Sequence, residues 1–289
     1  MLSYRHAFHA GNHADVLKHL VLIQLLRYFG QKDAPYMYID THAGAGLYAL
    51  DDPFATKLKE YESGIERLWN RHDLPPPLME YVALIKEIEG NGNILRYYPG
   101  SPYLADKIAR QEDRLRLFEL HSTDSKILEA NFRKLETNAL KGRGKRVIIQ
   151  QADGLIGLKA LLPPPSRRGL VLIDPSYEDK AEYRLIIETL ADALKRFATG
   201  TFVVWYPLLQ RIESRQLPEK LKQLVPSQWL NVSLLVNTPS ADGFGMHGSG
   251  MFVLNPPWTL EKTLGDVMPY LVGGILGQNE QASFTLEKG

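Results

Sequence analysis

The sequence predicts an α/β protein built on a doubly wound, mostly parallel sheet, and three observations carry that expectation. Short apolar runs recur along the chain, each followed by residues suited to a loop or a helix start. Amphipathic helical stretches lie between them. Acidic residues stand at the ends of successive runs, where ligands of open α/β sheets bind. With 289 residues, 44% of them hydrophobic, the chain can bury the core of one large domain or of a domain carrying an insertion.

The expected strands are residues 36–39, 115–120, 147–150, 170–173 and 201–205, a rhythm typical of parallel strands covered by helices. Between the last two, residues 181–197 place Tyr183, Ile186, Ile187, Leu190, Leu194 and Phe197 on one helical face, with Gly200 as a stop. Two further runs, 229–236 and 251–254, close the pattern as an antiparallel pair, so the sheet is expected to end on an antiparallel final strand.

One interval breaks the rhythm. A strand is due about 20 residues after the first glycine loop, yet the next candidate is 115–120. Residues 54–69 and 77–88 read instead as two amphipathic helices joined by His72-Asp73-Leu74-Pro75-Pro76-Pro77. An inserted helical subdomain over residues 51–100 is expected, the main domain comprising 1–50 and 101–289.

Composition narrows the chemistry. The absence of cysteine excludes disulfides, thiolate nucleophiles and zinc-cysteine sites, and fits a reducing cytoplasm. No segment supplies the ~20 uninterrupted apolar residues of a membrane helix, and no apolar run follows a basic start, so neither export nor a membrane span is expected. The net charge of +1 says little, because nucleic-acid binding depends on where cations lie. The denser basic groups are Lys141 to Arg146, Arg167-Arg168 and Lys195-Arg196. His6, His9, His13 and His19 do not form a metal motif: His9 and His13 are four apart, but Gly11 sits between them, no glutamate follows His9 and no cysteine is available. No metal is expected.

The first strand ends in Asp40-Thr41-His42-Ala43-Gly44-Ala45-Gly46, where glycines let the backbone turn sharply and approach a ligand. Gly44, Gly46 and Ala49 also satisfy a loose dinucleotide fingerprint, which leaves a nicotinamide oxidoreductase as a rival reading. Glu119 ends the second strand, where an acid can accept from both hydroxyls of a ribose. Asp153-Gly154 follows the third, where an acid can accept from an adenine amine. S-adenosylmethionine suits this set better than a nicotinamide cofactor, since it has no pyrophosphate while its ribose, amine and ammonium groups all welcome acids.

The fourth strand runs through Gly169-Leu170-Val171-Leu172-Ile173 into Asp174-Pro175-Ser176-Tyr177. An acid, a proline carbonyl and an aromatic ring at a strand end can hold a flat ring with an exocyclic amine: Asp174 accepts from the amine and Tyr177 stacks on the ring. Asn255-Pro256-Pro257-Trp258 also follows an apolar strand and is a second candidate for this role. Chain order favours Asp174, because the loop that faces the base follows the fourth strand when the glycine loop follows the first.

Beyond these local readings, the chain resembles the RlmJ family of bacterial adenine-N6 methyltransferases acting on 23S ribosomal RNA. The resemblance runs nearly end to end, through Met1 to His6, His9 to His19, Asp40 to Gly46, Tyr97 to Pro102, Ala152-Asp153-Gly154, Ser166 to Gly169 and Asn255 to Trp258. It implies a Rossmann-like class I methyltransferase fold and S-adenosylmethionine contacts from His19, His42, Ser101, Glu119, Asp153 and Gly154. It also implies a catalytic Asp174, an RNA contact at Tyr4, and a cytoplasmic monomer. Where the family carries Asp-Pro-Pro-Tyr, this chain has Ser176 in place of the second proline. Two further rivals are a DNA adenine-N6 methyltransferase and an RNA-binding relic that has lost catalysis.

Overall fold

The computed structural model describes residues 5–136, 146–225, 227–240, 243 and 245–289. Tyr4 and residues 141–145 of the densest basic run therefore lie outside the described residues. The strands in chain order are β1 (Met37–Asp40), β2 (Leu47–Ala49), β3 (Tyr97–Pro99), β4 (Arg114–Phe118), β5 (Val147–Gln150), β6 (Gly169–Ile173), β7 (Thr201–Leu208), β8 (Trp229–Leu235), β9 (Gly248–Leu254) and β10 (Ser283–Lys288). Eight of them form one sheet in the order β10-β8-β9-β7-β6-β1-β4-β5, while β2 and β3 pair separately.

The strands β5, β4, β1, β6 and β7 run parallel, and β9, β8 and β10 extend the sheet antiparallel. Every residue of β1 and β6 is buried, as continuous apolar strands covered on both faces should be. The expected antiparallel pair is the β8–β9 ladder. Strand β10 went unread because only Phe284 and Leu286 turn inward along an otherwise polar, exposed edge.

One face of the sheet is covered by α1 (His13–Gly30), and the 51–100 segment, with α2 (Pro53–Leu58), α3 (Glu66–Trp69) and α4 (Pro76–Lys86), packs against α1 through α4. Leu68, Trp69, Tyr81 and Ile85 of that segment share a single buried cluster with Leu17, Leu20 and Val21 of α1. The single helix expected over 54–69 is broken. Lys59 turns left-handed at φ 50°, and a short 3-10 turn, Glu60–Ser63, leads to Gly64. A Cβ on Gly64 would lie 2.0 Å from the Gly11 carbonyl oxygen, which already accepts from Ile65 N at 2.8 Å, so the chain must pass α1 without a side chain.

Helix α1 itself was not anticipated from periodicity. It is apolar nearly all round, and even its polar residues Asp15, Lys18 and His19 are buried, so no solvent face gives it contrast. Asn12 starts it, its side chain accepting from Ala14 N and Asp15 N. The remaining helices are α5 (Ser101–Ile108), α6 (Ser122–Glu136), α7 (Gly154–Leu161), α8 (Ala181–Arg196), α9 (Ile212–Lys222) and α10 (Leu260–Val272). Of these, α7, α8 and α9 pack on the face opposite α1, where Leu158, Ile186, Leu190 and Leu217 meet Ile39, Val171 and Ile173.

Candidate active site

A cavity of about 440 Å³ opens where β1, β4 and β6 end, with the first turns of α1 along one side. His19, His42, Ser101, Glu119, Asp153, Gly154, Asp174 and Tyr177 all contribute to its wall. Every site residue expected from the sequence, Tyr4 excepted, thus meets in one place.

At the end of β1, Asp40 is fully buried and collects donors: the Tyr38 and Ser101 hydroxyls at 2.7 Å on Oδ2 and His42 N at 3.2 Å on Oδ1. Burial pushes its carboxyl up to about 6, while the Ser101 and Tyr38 bonds oppose that rise. Ser101 therefore fixes the carboxylate of the glycine loop as well as facing the cavity. His42 shares a 2.8 Å bond with Thr41 Oγ1, and burial lowers it to about 4, so it is neutral near pH 7.

The glycine loop turns through Gly44 at φ 60°, where a Cβ would meet the Tyr48 hydroxyl at 2.3 Å. Gly44 N donates to Glu119 Oε2 at 2.8 Å and His121 N to Glu119 Oε1 at 2.7 Å. Glu119 thereby ties the ends of β1 and β4 together. Each of its oxygens retains a lone pair, and burial raises its carboxyl above the usual range.

Asp153 caps α7: Leu155 N and Ile156 N both donate to Oδ1, at 2.9 and 3.1 Å. Oδ2 takes no bond from a described side chain or backbone group. Beside it, Gly154 is fixed by sterics, since a Cβ there would lie 2.1 Å from the Thr41 carbonyl oxygen. His19 is fully buried, stacks on Tyr98 at 5.5 Å and shares a 2.8 Å bond with its hydroxyl through Nδ1. Its Nε2 has no partner among the described residues, and burial lowers the imidazole to about 3.

Asp174, directly after β6, is held from an unexpected direction. Lys18 Nζ donates to Asp174 Oδ2 at 2.7 Å and lies 2.8 Å from Asp15 Oδ1, and His6 Nε2 meets Asp15 Oδ2 at 2.9 Å. Burial works against a charged Lys18, but Asp15 and Asp174 outweigh it and hold the ammonium above the usual lysine range. The Trp205 ring flanks the same ammonium at 5.9 Å. Lys18 and Asp15 were missed in the sequence, although Asp15, Lys18 and His19 are polar residues three and four apart in an apolar stretch.

Tyr177 adopts φ 56° and is only 2% exposed. Its hydroxyl donates to the Trp205 carbonyl at 2.6 Å and its ring packs on Tyr183 at 4.6 Å and Trp205 at 5.8 Å. The expected stacking residue is thus clamped, almost wholly buried, in the wall of the cavity. Arg211 braces it further by donating to the Tyr177 carbonyl at 3.2 Å.

The second candidate loop lies elsewhere. Strand β9 runs antiparallel to β7, pairing Leu254 with Phe202, so Asn255 emerges at the opposite end of the sheet from Asp174. There its carboxamide donates to the Ala198 and Gly200 carbonyls at 2.8 and 2.7 Å, which closes a loop. The amino-terminal histidines also have local partners, His6 with Asp15 and His9 with Glu60. Among the described residues no cluster of His, Cys, Asp or Glu could hold a metal, and no helix is long and apolar enough to cross a membrane.

Comparison with known proteins agrees in one direction. Residues 33–287 match the family described as ribosomal RNA large subunit methyltransferase D, RlmJ. The chain is 45% identical to the ribosomal RNA large subunit methyltransferase J of Escherichia coli K12, over 94% of this chain and 93% of that protein. It is 43% identical to the protein of that name from Haemophilus influenzae, over 99% and 98%. The crystal structure of protein LPL1258 from Legionella pneumophila superposes with a TM-score of 0.85 at 38% identity, covering 97% of this chain and 98% of that one. With its doubly wound sheet, its strand-end cavity and these matches across almost its whole length, the chain belongs to the RlmJ family of ribosomal RNA large subunit methyltransferases.

Proposed function

We propose that this chain transfers a methyl group from S-adenosylmethionine to the exocyclic N6 of an adenine in 23S ribosomal RNA, acting in the cytoplasm as a monomer. The carrying observation is that Asp174, held by a buried lysine, shares one cavity with Glu119 and Asp153, acids at the ends of neighbouring strands, while Asp40 lies behind its wall, bonded to Ser101. A volume of about 440 Å³ is in the range that holds a ligand of this size.

The residues present fit the cofactor. Glu119 keeps lone pairs for ribose hydroxyls, Asp153 Oδ2 is open to an adenine amine, and Gly154 brings backbone N–H groups close. Asp40 with Ser101 and His42 supplies polar partners at the glycine loop, and the unpartnered Nε2 of His19 supplies another. When bound, the cofactor supplies a methyl group already activated by its sulfonium. The protein's task is alignment, which accounts for roughly 7 to 11 kcal/mol of a barrier of this kind.

Asp174 does the substrate-side work. Lys18 occupies Oδ2, leaving Oδ1 for the adenine amine alongside the Pro175 carbonyl. Accepting from that amine draws its lone pair out of the ring and helps disperse positive charge as it develops. The departing proton goes to Asp174 or to water beside it. Tyr177 and Trp205 form a rigid aromatic wall for the extruded base, and unstacking that base from the RNA costs a few kcal/mol.

The test is incorporation of labelled methyl into protein-free 23S ribosomal RNA, with the modified nucleotide mapped and duplex DNA run in parallel. The wild-type chain should modify one adenine in the RNA and leave the DNA unmodified. Asp174→Ala should bind the cofactor normally and lose turnover by about 10²–10⁴-fold. Near-normal turnover in that variant would place the chemistry elsewhere. A nicotinamide oxidoreductase would leave Asp174 and Lys18 without a role.

A further inference from the structure

The amino-terminal ends of the parallel strands, on the far side of the sheet from the cavity, gather arginines. In one row across the sheet Val147 pairs with Leu115, Arg114 with Met37 and Met37 with Gly169, which brings Arg146, Arg114 and Arg168 to the same rim. Arg110 and Arg168 both donate to the Ala34 carbonyl. Arg116 alternates with buried Leu115 and Leu117 and so shares a sheet face with Arg114, their Cα atoms about 6.6 Å apart.

These cations are assembled against repulsion. Arg110 pairs with Asp113 and Glu112, and Arg146 with Asp106. Arg114, Arg116, Arg167 and Arg168 have no ion pair with any described residue, and the first, second and fourth spend their donors on backbone carbonyls. Burial and the neighbouring Arg114 both disfavour charge on Arg116, while burial and Arg110 do the same to Arg168. Arg167 is exposed and left-handed at φ 51°, a conformation costly for a residue with a side chain. The carbonyl bonds hold neighbouring turns in place, but the crowding of like charges opposes folding. A polyanion laid across the rim would offset that repulsion, and guanidinium groups suit phosphate in particular because they donate in a planar fork.

We propose that this arginine rim is a second RNA-contact surface, one that binds the sugar–phosphate backbone of the substrate RNA at a distance from the adenine being modified. This inference rests on the activity proposed above. Arg168 precedes Asp174 by six residues of extended chain, about 20 Å, so a strand held at the rim comes from another part of a large folded RNA. Strand β5 forms the edge of the sheet beside this rim. The rim would add affinity without sequence information, as phosphate contacts do.

The experiment compares a long, protein-free 23S ribosomal RNA transcript with the shortest fragment that the wild-type chain still methylates. The variants are Arg116→Gln/Arg167→Gln and its charge-keeping counterpart Arg116→Lys/Arg167→Lys. The glutamine pair should bind the long transcript about tenfold more weakly near 0.1 M salt, with a log K against log salt slope shallower by roughly two. The lysine pair should retain most of that slope, and both should methylate the short fragment at the wild-type rate. An unchanged slope on the long transcript overturns the proposal. So does an equal loss on both RNAs, since a remote surface cannot act on a fragment that does not reach it. If the wild-type chain methylates neither RNA yet binds the long transcript with the steeper slope, the activity fails and the surface stands.

Discussion

The Lys18 ammonium lies 2.7 Å from Asp174 Oδ2, joining α1 to the loop after β6 across 156 positions of sequence. Both groups are nearly buried, and Asp15 completes the bridge. Lys18→Met should therefore leave two carboxylates facing each other without a counter-charge. Turnover should fall by about 10²–10³-fold. Stability should fall by about 3–5 kcal/mol, the usual result of stripping one partner from a buried pair. Steady-state methylation and urea unfolding of the same preparation check both. Wild-type turnover in that variant would reduce the bridge to a packing feature.

Tyr177 separates two kinds of loss. Tyr177→Phe removes only the hydroxyl that donates to the Trp205 carbonyl, and should cost about 1–2 kcal/mol of stability with little change in turnover. Tyr177→Ala opens a cavity beside Tyr183 and Trp205, and should cost about 3–5 kcal/mol together with most of the turnover on RNA. Comparing unfolding midpoints with kcat for both variants tells a wall from an ornament. A fully active alanine variant would remove Tyr177 from the site.

The sequence announces the parts of this site that follow strands. Asp40, Glu119, Asp153 and Asp174 are each the first acid after an apolar run, and the last three line the cavity. What it conceals comes from burial of polar groups inside helices. Lys18 and Asp15 look like an ordinary helical ion pair until the fold brings Asp174 beside them. Tyr177 looks like a free platform until Tyr183 and Trp205 close on it. Likewise the break at Lys59 and Gly64 follows from the passage of α1, which no pattern within residues 54–69 contains. Periodicity finds surfaces that face solvent on one side, and helix α1 has none.

Gly154→Ala tests the closeness of the third acid to the glycine loop. The added methyl would sit 2.1 Å from the Thr41 carbonyl, so α7 and Asp153 must move away from β1. Cofactor affinity should drop by at least tenfold, with a stability loss of about 1–3 kcal/mol. Isothermal titration with S-adenosylmethionine gives the first and thermal melting the second. Unchanged affinity would mean that this turn does not hold the cofactor.

Acid sensitivity should trace to buried imidazoles. Burial lowers His13 to about 4 and His19 to about 3, so the folded chain refuses protons that the unfolded chain accepts below about 6.5. More protons bind the unfolded state in that window, so their share of stability is complete above pH 6.5 and drains away as pH falls toward 4. Asp40 acts in the opposite sense, because its raised carboxyl keeps a proton that the unfolded chain loses between the usual aspartate range and about 6. A difference between parent and variant isolates one group. Between pH 6.5 and 4.5 the parent should lose on the order of 1.4 kcal/mol per pH unit more than His13→Gln does. Parallel curves would show that His13 is not the titrating group.

Helix α1 has a consequence for how this protein fails. Its flanks are walled in, so the rod that presents Lys18 and His19 also carries Leu17, Leu20 and Val21 into the interior. No slip plane separates machinery from scaffold. Softening of the interior misaligns the reacting end at once, and a heating curve followed by turnover should superimpose on one followed by aromatic fluorescence. Endurance and competence are, for this chain, a single quantity.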